Sequence, residues 1–413
     1  MKKIILLFYI VLGSLVFGYD FPMKDPYVAT VVGTSKMMTV GIKEKIPLEV
    51  HRMKTIKTRD IPESLKYQEE YKFSLALQKK KAPLIFILSG TGSSATSIKT
   101  KYFERIFYTA GYHVVGISSI MNSNSVVSLS YDKMPGNLMA DGFDLYRAVK
   151  NISSYVETRA EVENYNLMGY SLGGTHSAVL GFIDDKEKYF NFNKIFIVNP
   201  AVNLYDSAKL LDVMFDKLTN GNIEVLLRRV DELVDELSEN KERLDIKNPE
   251  KAFTHLNIHR DDLKLGIGFI FRLTSVDINF LSDLLNKRNI YSDGKVSKYE
   301  DMTKYFKKIN FANFEDYAQN IAYPYYKELY GERFTVKKVK EMSDLKSIDS
   351  YLRSAKNIYV VTNKDELILT NKNLNYLKRT FKDKLKIYPW GGHCGNMFYQ
   401  ENVDYMLEKM KEK

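Results

Sequence analysis

Cysteine is almost absent. Cys394 is the only one in 413 residues, so no disulfide can form within the chain and stability must come from a packed core. Histidine occupies six positions, and the one helical metal-ligand spacing, His255 and His259, encloses Leu256, Asn257 and Ile258 without a catalytic glutamate. A metal site is therefore not expected. Beyond Phe17 no apolar run reaches the length a membrane helix requires, so the chain is expected to be soluble or peripheral. Internal repeats and low-complexity linkers are missing as well. A dinucleotide fingerprint is met only nominally. Gly90-x-Gly92-x-x-Ala95 follows a strand, but the next strand ends Gly116-Ile117-Ser118-Ser119 without the acidic residue a ribose needs, so no cofactor is expected.

What the chain does carry begins with an excess of basic residues, 61 Lys and Arg against 51 Asp and Glu, for a net charge of +10. The lysines are scattered and accompany no nucleic-acid motif. They read as a solvated surface open to peripheral contact with anionic envelope components, not as a nucleic-acid interface. Lys2-Lys3, the apolar run Ile4 to Phe17 and then Gly18 have the form of a cleavable secretory signal over residues 1–18, cut after Gly18. The expected location is periplasmic or secreted, and no cysteine follows that would take a lipid anchor.

From Ala82 to Pro200 short apolar runs alternate with helical spacing. Strands are predicted at Pro83–Leu88, His113–Ile117, Leu167–Met168 and Lys194–Val198, with helices at Tyr102–Ala110 and Asp141–Val156. Continuous apolar strands separated by helices imply a parallel sheet covered on both faces. Extended stretches between Tyr27 and Met53 are expected to add antiparallel edge strands. From Ala201 to about Leu345 strand signals are few and helical spacing dominates, starting at the capping candidate Asn222. The alternation resumes with a strand over Asn357–Thr362, a helix over Asn371–Phe381, a strand over Leu385–Tyr388 and a last helix over Met397–Lys409.

Within this pattern Gly169-Tyr170-Ser171-Leu172-Gly173 fits Gly-x-Ser-x-Gly at a strand-to-helix junction. Such a turn lifts a serine hydroxyl above the sheet and leaves no room for side chains two residues away. A serine hydroxyl becomes a competent nucleophile only with a base, and the base needs an orienting acid. The loop after the strand ending at Thr362 offers Asp365, with Glu366 and Asn363 as rivals. The loop after Tyr388 offers His393, between glycines and Cys394. His176, His113 and His51 are placed on a helix, a strand and an edge and are set aside. The oxyanion donors are expected to be the backbone N–H groups of Leu172 and of Thr91, in the glycine-containing loop Ser89–Ser94.

Gly90-Thr91, Gly169–Gly173, Asp365 and His393, in this order and context, resemble the α/β-hydrolase superfamily. The likeness covers about Tyr27–Pro200 and Ser347 to the C-terminus. Ser89 stands where many members carry histidine. Phe21-Pro22, Asp25-Pro26-Tyr27 and Ala29–Thr34 also look like a group of exported bacterial hydrolase-like proteins of unassigned substrate. The resemblance implies an α/β fold with a mostly parallel sheet, a core of residues 19–200 and 346–413, and a helical lid or cap over 201–345. It further implies a serine hydrolase with Ser171, His393 and Asp365 as triad, acting through an acyl-enzyme on small-molecule or lipid-like esters. A peptidase or amidase on the same triad, or a catalytically silent envelope-binding protein, is the competing expectation.

Overall fold

In the computed structural model the described residues are 19–34, 41–220, 258–294 and 296–412, with scattered positions between 222 and 235. The expected signal segment, His255 and most of the helix expected after Asn222 lie outside them.

Eight strands form one sheet: β1 Glu49–Met53, β2 Tyr71–Ala76, β3 Ala82–Leu88, β4 His113–Ile117, β5 Val162–Tyr170, β6 Lys194–Val198, β7 Ile358–Asn363 and β8 Leu385–Tyr388. Their spatial order is β1-β2-β4-β3-β5-β6-β7-β8. β1 and β2 pair antiparallel, β2 runs antiparallel to β4, and all remaining pairs are parallel. This order, with the second strand reversed, is that of the α/β-hydrolase fold.

The period-two geometry of the strands builds both core layers. Leu84, Phe86 and Leu88 of β3 face one side, with Leu145, Val149 and Ile152 of α4 (Leu138–Glu157) and Leu180 of α5 (Leu172–Glu187). Ile85 and Ile87 face the other, with Phe103 and Phe107 of α2 (Ile98–Thr109) and Met406 and Met410 of α13 (Gln400–Lys411). Remaining helices on the sheet are the short α3 (Ser123–Ser128), α11 (Asp349–Ser354) and α12 (Asn371–Phe381).

Between β6 and β7 the described chain contains helices α6 (Leu204–Thr219), α7 (Arg260–Leu285), α8 (Thr303–Ile309), α9 (Tyr323–Tyr330) and α10 (Val336–Met342). A π-helical stretch, Tyr317–Ala322, leads into α9. No strand occurs here among the described residues; only an isolated bridge joins Asn203 to Asp344. By length and composition α7 could cross a membrane, contrary to the reading that no later segment could. In the protein 56% of its apolar stretch is buried against neighbouring elements, so its hydrophobicity is that of a core helix.

The edge expected between Tyr27 and Met53 is half met. Glu49–Met53 is antiparallel β1, but Pro26–Val32 is helix α1. Asp25 caps it, accepting from the N–H groups of Tyr27 and Val28 at 2.8 and 3.1 Å, and Pro26 occupies the first turn, where its missing N–H costs nothing. These end signals prevail over the strand preference of Val28, Thr30, Val31 and Val32.

Candidate active site

Four loops at the carboxyl ends of β3, β5, β7 and β8 converge, and the strand order sets β5 between the others. Ser171, between β5 and α5, has φ 55° and ψ −127°, a conformation few non-glycine residues adopt. Close backbone packing enforces it. A Cβ on Gly173 would lie 2.2 Å from the Leu88 carbonyl oxygen, and one on Gly169 would lie 2.2 Å from the Gly173 carbonyl oxygen. The Ser171 N–H continues the sheet by donating to Val198 O at 2.8 Å.

The Ser171 hydroxyl stands 2.9 Å from His393 Nε2. His393 Nδ1 lies 2.8 Å from Glu366 Oε1. The expected partner, Asp365, does not reach the ring. Its carboxylate accepts the backbone N–H groups of Gly391 and Gly392 at 3.2 and 3.1 Å, so it shapes the loop that carries His393. The two acids are adjacent in sequence and take different partners. Glu366 is further held by Leu367 N–H at 2.8 Å and by the Asn199 amide at 2.5 Å, the latter from the end of β6. Asn199 was not singled out in the sequence; its position one residue past β6, beside the serine strand, was the available signal.

Burial disfavours the imidazolium of His393, while the neighbouring Cys394 and the Glu366 carboxylate favour it, and its pKa rises from 6.5 to about 10. Cys394 Sγ sits 3.8 Å from His393 Nε2. Burial, opposed by the two loop N–H groups, raises the Asp365 pKa.

Gly90–Ser93 is a tight turn, closed by Ser93 N–H to Gly90 O at 3.0 Å, with Gly92 at φ +69° in the third position, as a type II turn requires. Thr91, second in that turn, lines the same cavity as Ser171 and Leu172. Leu172 opens α5, where the first N–H groups have no partner inside the helix. Asn122 donates to Gly92 O at 2.9 Å and pins the turn.

That cavity measures about 90 Å³. Its wall is shared by the sheet loops and by the segment between β6 and β7, including Leu204, Leu211, Phe271, Phe314, Tyr317 and Met342. Among the described lining residues none is charged. Several polar ones are turned inward: Ser207 donates to Ile368 O at 2.8 Å, Tyr317 to Pro135 O at 2.9 Å and Ser343 to Lys340 O at 2.8 Å. The surface left to a ligand is apolar.

Three other histidines, those weighed against His393 in the sequence, are engaged elsewhere. His176 and Asp141 form a buried pair at 3.5 Å, His113 is bonded to Gln78 N–H and the Glu161 carbonyl, and His51 to Glu49.

No family model matches the chain, and no curated protein is significantly similar to it. Among solved structures, it is similar to an acylaminoacyl peptidase from Pyrococcus horikoshii (12% identity, TM-score 0.42), covering 90% of this chain and 42% of that one. It is also similar to an esterase from Pyrococcus furiosus (9% identity, TM-score 0.43, 89% and 92% covered). A third is a proline iminopeptidase from Mycobacterium smegmatis (13% identity, TM-score 0.41, 88% and 96% covered). This chain thus spans less than half the length of the acylaminoacyl peptidase. The fold assignment rests on the strand order and the serine turn themselves.

Proposed function

We propose that the protein is an exported serine hydrolase that cleaves neutral esters of short apolar acids through an acyl-enzyme. The observation that carries this reading is the chain of contacts Ser171 Oγ, His393 Nε2, His393 Nδ1 and Glu366 Oε1 at the mouth of an uncharged cavity. In this reading Ser171 attacks the ester carbonyl as His393 takes its proton, and Glu366 holds the ring and balances the imidazolium. Thr91 and Leu172 N–H groups receive the oxyanion. His393 then protonates the leaving alcohol, and water, deprotonated by the same imidazole, releases the acid.

The cavity favours an acyl group of about two to six carbons, since one of ~150 Å³ takes a benzene ring. With no charge among the described lining residues to meet an ammonium or carboxylate, neutral esters are favoured over peptides with charged ends. Helices α6 to α10 act as a cap that sets this choice.

The test is labelling by a fluorophosphonate together with a series of p-nitrophenyl esters. The wild type is expected to label at one residue and to prefer butyrate to laurate. Ser171→Ala is expected to abolish labelling and cut turnover by about a millionfold with the fold intact. Labelling that survives this substitution would remove Ser171 from the role. A folded wild type that neither labels nor hydrolyses would favour the silent binding protein.

A further inference from the structure

The loop that carries His393 is not held by the sheet alone. Helix α1, near the other end of the sequence, lies directly against it. Thr30 Oγ1 accepts the His393 backbone N–H at 2.8 Å and itself donates to Pro26 O at 2.6 Å. The backbones touch without intervening side chains: a Cβ on Gly392 would lie 2.1 Å from Pro26 O, and one on Gly395 2.2 Å from Ala29 O. Two more bonds flank this contact, Trp390 Nε1–H to Phe21 O at 2.6 Å and Thr34 Oγ1–H to Gly395 O at 2.8 Å. On its outer side α1 meets α7. Asp25 pairs with Arg260 at 3.2 Å, and Leu263 packs with Phe21, Met23 and Val28.

We propose that residues 19–34 form a strap that positions His393, with Thr30 as the positioning residue, and that the strap couples the histidine loop to the cap helix α7. The inference rests on the proposed role of His393 only for its effect on turnover; the anchoring can be read without it. A backbone N–H held from one side by Thr30, and neighbouring N–H groups held from the other by Asp365, leave the imidazole little freedom to drift from Ser171. Displacements of the order of 1 Å at a reacting group cost up to ~100-fold in rate.

Thr30→Val keeps the shape of the side chain and removes the acceptor; Thr30→Ser restores it. The measurements are fluorophosphonate labelling rate, kcat and KM for a butyrate ester across pH, melting temperature, and hydrogen exchange of the amides in residues 390–396. For Thr30→Val, labelling and kcat are expected to fall roughly tenfold with KM nearly unchanged, and the His393 amide to exchange at least tenfold faster. Thr30→Ser is expected to recover both. Equal labelling and equal exchange in wild type and Thr30→Val would overturn the proposal. Faster exchange in a chain whose wild type never labels would support the strap and overturn the hydrolase reading. Should Thr30→Val fail to fold, Trp390→Phe, which removes the bond to Phe21 O, tests the same strap through the same exchange readout. Unchanged exchange in that folded variant would overturn it.

Discussion

The serine turn and the histidine loop present the two atoms that meet at 2.9 Å, yet they are built in opposite ways. Ser171 is fixed by its own neighbourhood: a five-residue motif, a sheet strand before it, a helix after it, and glycines pressed onto the adjacent strand. His393 is fixed by distant segments, Asp365 and Glu366 after β7 and Thr30 in α1. One half of the site is thus specified by a short motif seated on its neighbouring strands, and the other only by contacts with distant segments. Local order is robust to change far away; assembled order fails whenever any of its contributors moves.

The sharpest way to break the contrast is at the local half. Gly173→Val would place a branched side chain where even a Cβ meets the Leu88 carbonyl at 2.2 Å, backbone that cannot yield without parting β3 from α5. The expected outcome is loss of the folded protein, by about 3 kcal/mol or more, seen as lost soluble yield or near-UV dichroism. A normally folded variant would show the turn to be less constrained than its geometry implies.

The next effect belongs to the assembled half. Glu366→Gln is expected to lower kcat by about 10⁴-fold with modest change in stability. It also carries a pH signature. His393 must be neutral to accept a proton, and its pKa is raised to about 10, so kcat/KM of the wild type should climb with pH through the alkaline range. Removing the carboxylate charge should move that limb to lower pH. For stability the sign is the reverse. A histidine raised from 6.5 to about 10 contributes stability that is full below pH 6.5 and lost as pH rises through about 10, and Glu366→Gln should flatten that slope. An unmoved limb would take Glu366 out of contact with the titrating ring.

Smallest is Asp365→Asn. The amide oxygen can still accept one loop N–H, so turnover is expected to fall only about tenfold, with the pH limb nearly unmoved. A loss exceeding that of Glu366→Gln would restore Asp365 as the orienting acid.

The same contrast explains what could be read without coordinates. Gly169–Gly173, the loop carrying His393 and strands β4, β6 and β8 are legible because local pattern determines them; for β4, β6 and β8 even the bounds agree. Asp365 and Glu366 are chemically alike and adjacent, so which one faces His393 depends on the direction of the turn, to which both sequence signals are blind. Helix α1 was misread because Val28, Thr30, Val31 and Val32 favour a strand, although Asp25-Pro26 announced a helix start. Strand β2 was passed over as well: Tyr71–Ala76 mixes polar and apolar residues, and its place in the sheet comes from β1 and β4 on either side. Thr30 carries no local signal at all, since its partner is contributed by another part of the chain.

Thr30 and His393 are 363 positions apart, and Tyr19 and Asn396, joined through the tyrosine hydroxyl at 2.7 Å, are 377 apart. Closing so long a loop demands that all the residues between its ends exist first. Synthesis delivers the serine turn well before the histidine loop, and the partner of Thr30 follows it by 363 positions. The contact between Ser171 and His393 therefore cannot form until every residue between them has been made and folded into place.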